Sequence, residues 1–221
     1  MTVLASRLPV TLIGGGPFSQ ADIDAARALA PVIAAADGGA DRALAHGLTP
    51  EAVFGDFDSL SDAAHKAIPA DRLHHIAEQD STDFEKCLIR IDAPLVLAVG
   101  FSGARQDHFL AALNVLSRRI GPPCILIAGD DVIALCPPRI ALDLAPGTRV
   151  SLFPMGQATG RSTGLRWPID GLEFAPMGRV GTSNEATGPV VIETDGAMLL
   201  ILPRKSLDLL AAVLAEGQSA R

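Results

Sequence analysis

The stretch Pro9–Gly39, PVTLIGGGPFSQADIDAARALAPVIAAADGG, decides the fold. It opens with an apolar run, PVTLI, that stops at three glycines. SQADIDAARALA follows, with Ser19 placed to cap a helix and Asp22 three residues on to complete a capping box. Ile23, Ala26, Leu29 and Ala30 recur at helical spacing. A second apolar run, PVIAA, then breaks at Asp37-Gly38-Gly39. Strand, helix and strand in that order, with strands too apolar to face water on either side, predict a parallel sheet covered on both faces.

The alternation continues. ADRALAHG reads as a short helix stopped by Gly47, EAVFGD as a third strand, and Ser61 to Ile68 as a helix. RLHHIA is a weaker strand. STDFEKCLIRI reads as a helix with Phe84, Cys87, Leu88 and Ile91 on one face. PLVLAVG and CILIAG are buried strands. The helix ARQDHFLAALNVLSRRI lies between them, with Phe109, Ala112, Leu113 and Leu116 as its apolar face. DVIALC is one more strand. Beyond CPPR the texture changes. Helical periodicity is absent until Ser206, and RVSLFPM, GPVVIET and AMLLILP alternate with glycine turns, the pattern of an antiparallel sandwich or roll. SLDLLAAVLAEG closes the chain as an amphipathic helix with a stripe of Leu207, Leu210, Ala211 and Leu214. The expected fold is α/β: a mostly parallel α/β sandwich domain over residues 1–137, then an antiparallel β-sandwich domain over 138–221 with its C-terminal helix.

The 221 residues carry a formal net charge of -7 and no run of Lys or Arg, which argues against a nucleic-acid or anionic-membrane partner. No apolar stretch approaches the roughly 20 residues of a membrane helix, and MTVLASRLPV is too short and mixed for a signal peptide. Cys87, Cys124 and Cys136 form no CxxC pair. They read as reduced, buried thiols of a cytoplasmic protein.

In parallel sheets ligands gather beyond the carboxyl ends of the strands. GGG, ADGG, GDFDS and GFSGARQD all fall at such ends, so they should share one rim. Asp56 and Asp58 stand one residue apart there. Two ionised carboxylates so close raise each other's pKa unless a cation intervenes, and hard oxygen ligands with room for water and phosphate suit Mg²⁺. Asp37, Asp80, Asp83 and Asp107 add to the crowding, although Asp80 and Asp83 are also placed to favour a helix N-terminus. Gly14, Gly15 and Gly16 can bring N–H groups close to an anion or form a plain tight turn; neither GK[ST] nor a full GxGxxG follows. Arg105 offers a planar fork to phosphate. Lys86 can reach a phosphate or pair with Asp83 or Asp80. His108 serves as a base or as a helix-start residue, and His74 and His75 are structural. No HExxH or GxSxG is present. These residues describe a Mg²⁺-dependent enzyme acting on a nucleotide polyphosphate.

ADGGADRAL, GDFDSLS, QDSTDFEKCL and GARQDH, in this order and spacing, resemble the thiamine pyrophosphokinase family, as do STGLRWPIDG and GTSNEATGPVVIETDGAMLLIL further on. The resemblance implies a homodimer with active sites between subunits. It implies transfer of the pyrophosphoryl group of ATP to the thiamine hydroxyl, giving thiamine diphosphate and AMP with Mg²⁺ as cofactor. It assigns Asp56, Asp58 and Asp83, with Asp80, to the metal and pyrophosphate. Asp107 and Arg105 join the catalytic set, and Asp83 is the choice for the hydroxyl proton. Gly15, Gly16, Asp37, Gly38, Ser59, Gln79, Thr82, Lys86 and His108 surround the nucleotide and phosphates. Trp167, Ser183 and Asn184 hold thiamine, with Trp167 either stacked on the vitamin or packed in the β core. Phe101 and Ala104 stand where the family carries more glycine. Two alternatives remain: a phosphatase of the haloacid-dehalogenase type, whose DxD pair follows the first strand rather than the third, and a non-catalytic thiamine or nucleotide sensor.

Overall fold

The structure, a computed structural model, describes residues 2–103 and 105–219; Ala104 lies outside the described residues. Two compact units emerge. One runs to Val115 and takes in Arg119–Gly129; the other holds Leu116–Arg118 and the chain from Asp130 onward.

The first unit contains, in order, β1 (Leu4–Ala5), β2 (Val10–Ile13), α1 (Gln20–Leu29), β3 (Val32–Ala36), α2 (Gly39–Ala45), β4 (Ala52–Gly55), α3 (Asp62–Ala67), β5 (Leu73–His75), α4 (Asp83–Leu88), β6 (Ile91–Asp92), β7 (Val96–Val99), α5 (Gln106–Ser117) and β8 (Cys124–Ala128). Its main sheet runs β8-β7-β2-β3-β4-β5 with every pairing parallel. The central strands β2, β4 and β7 are buried at every position, as a sheet covered on both faces requires. Thr11 is the polar exception in β2, and its hydroxyl donates to the Ala30 carbonyl at 2.6 Å. Ser19 and Asp22 close the expected capping box on α1, and Gly47 takes a left-handed φ of 71° just past α2.

Two helices are shorter than their apolar spacing predicts. Residues 81–91 read as one helix, but α4 stops at Leu88, because Ile91 and Asp92 pair with Leu4 and Ala5 as a separate two-stranded sheet. α5 likewise ends at Ser117.

The second unit contains β9 (Asp131–Leu135), β10 (Arg139–Leu142), β11 (Arg149–Pro154), β12 (Ala158–Leu165), β13 (Glu173–Phe174), β14 (Gly181–Asp195), β15 (Met198–Pro203) and α6 (Leu207–Ser219). All its pairings are antiparallel. The long β14 serves two neighbourhoods. Its start pairs with β11, and its later part lies between β12 and β10. β11 continues through β15 to β9. β10, β12 and β13 are strands of this unit that the apolar runs do not reveal: in β12, ATGRSTGL buries only its two end residues fully. The stripe on α6 is buried at Leu207, Leu210, Ala211 and Leu214, and the helix packs on β10.

The carboxyl edge of the first unit's sheet is built from close backbone approaches. A Cβ on Gly39 would stand 2.1 Å from the Ile13 carbonyl oxygen, and one on Gly55 2.8 Å from Asp37 Cβ. Gly39→Ala is therefore expected to lower stability by about 1–3 kcal/mol through overpacking. Gly15→Ala, whose Cβ would have 3.9 Å of room, should leave stability nearly unchanged. Urea unfolding of the two variants checks the contrast; equal midpoints would contradict it.

Candidate active site

β3 delivers Asp37 to the sheet edge, β4 delivers Asp56 and Asp58, and the segment after β5 delivers Gln79 and Asp80. Asp37 takes φ 43° and Phe57 φ 65°. A non-glycine residue held in the left-handed region costs on the order of 1–3 kcal/mol and persists where the surroundings enforce it. Here Phe57 lies between the two acids of the pair. The carboxylates of Asp37, Asp56 and Asp58 then approach until an oxygen from each lies within 4.8 Å of the others.

Neighbours position all three. The Ser59 N–H donates to Asp37 Oδ2 at 3.2 Å, and its hydroxyl donates to Asp58 Oδ1 at 2.9 Å. Gln79 Nε2 donates to Asp56 Oδ2, and the Asp58 N–H donates to Asp56 Oδ1 at 3.3 Å. These bonds, that from Gln79 foremost, hold the Asp56 carboxyl below its ordinary pKa. Asp37 behaves oppositely. It is 3% exposed, and its pKa is raised, first by burial and then by the charge of Asp83. Its Oδ1 is buried without a hydrogen-bond partner among the described residues. A buried orphan oxygen beside two further carboxylates, all hard donors, is what a divalent cation such as Mg²⁺ completes.

The remaining acids sit differently. Asp83, at the first position of α4, pairs with Lys86 Nζ at 3.3 Å. Lys86 is 2% exposed and Asp83 43%, so of the two uses open to Lys86 the ion pair is the one formed. Asp80 stands outside the three-carboxylate group; its N–H donates to Glu78 Oε2 at 3.0 Å. Glu78 also accepts from the Ser81 N–H and hydroxyl, a loop-shaping role that no motif announced. Thr82 caps α4 through the Glu85 N–H. Arg105 grips Asp107 with both ends of its fork, at 2.6 and 3.2 Å, and lowers the Asp107 pKa to about 2. Both side chains are exposed, as is His108.

The glycine run is mostly spent on the backbone. Gly14 N–H donates to the Val99 carbonyl and Gly16 N–H to Gly100, each at 2.8 Å. Gly15 differs: it is exposed, and its carbonyl accepts from Arg42 Nε at 2.6 Å. Arg42 escaped the sequence reading because one turn into a short helix nothing local marks it. Gly38 packs its backbone against Ser59.

In the second unit Trp167 is 54% exposed, which removes the core reading of this residue. Its N–H donates to Asn184 Oδ1 at 3.1 Å, and Asn184 Nδ2 returns a bond to the Trp167 carbonyl at 2.7 Å. Asn184, 8% exposed, thus fixes the Trp167 backbone. Ser183 takes φ 63°, and its N–H donates to Ser151 Oγ at 3.0 Å. The Arg166 guanidinium lies 5.0 Å from the indole centroid, a cation–π distance. The three cysteines are free and buried, and His74 stacks at 5.6 Å on Phe54, a packing role.

Comparison with known proteins matches both units. Residues 25–125 match the family description "Thiamin pyrophosphokinase, catalytic domain" and residues 139–199 "Thiamin pyrophosphokinase, vitamin B1 binding domain". Thiamine pyrophosphokinase 1 of Arabidopsis thaliana is 27% identical over 214 residues, covering 79% of this chain and 78% of that protein. Thiamine pyrophosphokinase 1 of Oryza sativa subsp. japonica is 29% identical over 154 residues, covering 61% of this chain; the match spans 58% of the rice protein, under two thirds of its length. Among solved structures, thiamin pyrophosphokinase from Candida albicans superposes with a TM-score of 0.74 at 16% identity, covering 89% of each chain. Thiamine pyrophosphokinase from Bacillus subtilis gives 0.71 at 22%, covering 88% of this chain and 98% of that one. At these identities the superpositions establish a shared fold.

The raised pKa of Asp37 fixes a sign. The folded state holds this proton more tightly than the unfolded state, so metal-free stability falls as pH rises from the ordinary carboxyl value through the raised one. Above the ordinary carboxyl range the cost of burying the charged form of this carboxyl opposes folding. Asp37→Asn should raise the melting temperature of the metal-free protein at neutral pH and abolish the further rise that added Mg²⁺ gives the unaltered protein. Thermal unfolding with and without Mg²⁺ decides it; a full Mg²⁺ shift in the variant would remove Asp37 from the metal site.

Proposed function

The chain belongs to the thiamin pyrophosphokinase family, and from that premise we propose that it transfers the pyrophosphoryl group of ATP to the hydroxyl of thiamine, releasing AMP and thiamine diphosphate. The observation that carries the reading is the meeting of Asp37, Asp56 and Asp58 at the carboxyl edge of the sheet, with one buried carboxylate oxygen left without a partner. These three residues would hold Mg²⁺. Bound there, Mg²⁺ would offset the negative charge that builds on the phosphate oxygens during transfer.

The chain's own groups divide the remaining work. Ser59 and Gln79 keep the acids aimed at one point. Asp83, half exposed and tethered by Lys86, is placed to accept the proton of the attacking hydroxyl. Asp80 lies near enough in sequence to join the polyphosphate contacts. Trp167, exposed and anchored through Asn184, offers an aromatic face to the cationic rings of thiamine. Such a contact contributes about 0.5–2 kcal/mol. We further propose a homodimer in which the acids of one subunit act with the Trp167–Asn184 region of the other. A cytoplasmic location is part of the proposal, and free buried cysteines suit it. No described helix is long and apolar enough to cross a membrane.

The decisive experiment is a mass balance with thiamine, ATP and Mg²⁺. AMP and thiamine diphosphate in equal amounts are expected. ADP with thiamine monophosphate would overturn the transfer of two phosphates, and the absence of any thiamine-dependent product would favour a sensor. For the shared site, mixing inactive Asp56→Asn and Asn184→Ala proteins should restore partial activity in heterodimers. Mixed dimers that form without activity would confine each site to one subunit.

A further inference from the structure

The proposed reaction asks one sheet edge to hold a polyphosphate of several negative charges beside a group of carboxylates. The metal answers part of this repulsion, and fixed cations must answer the rest. Lys86 on α4, Arg105 just before α5 and Arg42 on α2 are candidate cations for this edge among the described residues. The first two are already committed. Lys86 pairs with Asp83 at 3.3 Å, and Arg105 donates from Nε and Nη2 to the two Asp107 carboxylate oxygens. Arg42 alone spends its bond on a neutral group. Its Nε donates to the Gly15 carbonyl at 2.6 Å, and no described carboxylate pairs with it.

That one bond also sets where the guanidinium lies. Gly15 follows β2 at the carboxyl edge, and a Cβ there would stand 3.9 Å from the Gly38 carbonyl carbon and the Gly39 nitrogen. Gly38 directly follows Asp37 in the chain. Arg42 is therefore tethered to the turn that borders the three-carboxylate group, while it remains exposed. Using Nε for the backbone leaves the two terminal nitrogens of the planar fork for a second acceptor. Gly15 is the exposed member of the glycine run, and the atoms nearest a Cβ there are backbone rather than side chain.

Resting on the pyrophosphoryl-transfer reading, we propose that Arg42, held by the Gly15 carbonyl, is the residue that grips the phosphate oxygens of the nucleotide beside the glycine turn. The assignment moves the phosphate-holding role from Arg105, whose charge Asp107 already neutralises, to a residue on α2. It also gives the glycine turn a function: its carbonyl positions a cation in addition to any contact its N–H groups make with an anion.

The test separates this assignment from the reaction itself. Binding of ATP with Mg²⁺ is measured by calorimetry in the absence of thiamine, and steady-state KM values are measured for both substrates. Arg42→Met, which keeps length and removes charge, should weaken ATP binding and raise the KM for ATP about tenfold or more, leaving the KM for thiamine within about twofold. Arg42→Lys should recover part of the ATP affinity, because it restores the charge without the fork. A merely structural role would lower the melting temperature and shift both KM values together. Unchanged ATP binding in Arg42→Met would overturn the proposal. If Arg42→Met does not fold, Arg42→Lys carries the test: wild-type ATP affinity in that variant would refute a need for the fork. Should the unaltered protein make no thiamine diphosphate yet lose ATP affinity on Arg42→Met, the reaction reading fails and the Arg42 assignment stands.

Discussion

Asp37, Asp56 and Asp58 crowd carboxylate oxygens within 4.8 Å of one another, and much of the first unit can be understood as the means of holding that repulsion in place. Apolar strands buried on both faces supply the rigidity. Gly55 makes room for Asp37 where a Cβ would stand 2.8 Å from the acid's own Cβ. Phe57 and Asp37 adopt left-handed backbone conformations that isolated residues of their type avoid. Ser59 and Gln79 donate to the acids. Each feature costs something locally, and together they keep a charge distribution that a bound cation would stabilise.

The treatment of the two extremes is unequal. Asp56 is half-buried and accepts from the Gln79 amide, which favours its ionised form. Asp37 is buried with an unsatisfied oxygen, and its ionisation is disfavoured. A cation held by one reluctant and one willing carboxylate would bind with an affinity coupled to pH, because the ligands bind it in their ionised forms. The neighbouring pairs, Lys86 with Asp83 and Arg105 with Asp107, neutralise charge around this centre without entering it.

The second unit holds an exposed aromatic surface in place. Trp167 stays half exposed because Asn184 fixes its backbone from both sides, donating and accepting. The buried amide thus sets the position of the Trp167 backbone. Ser183, strained at φ 63°, marks the same corner of β14.

Much was legible in the chain alone. Apolar periodicity is a local signal, so it identified the order of strands and helices, the capping box at Ser19 and Asp22, and the stripe on α6. The charge pattern GDFDS pointed to a cation because i and i+2 acids repel wherever they are placed. Three results required the folded chain. The parallel register of β3 beside β4 brings Asp37, rather than Asp80, to Asp56 and Asp58. Side-chain partnering spends Arg105 on Asp107 and leaves Arg42 beside Gly15. Burial separates an exposed Trp167 from a buried Lys86, against the usual preferences of both residue types. The reason is common to all three. Periodicity and turn chemistry act over a few residues, whereas pairing between positions 15 and 42, or 37 and 56, depends on strand order and register that only tertiary packing decides.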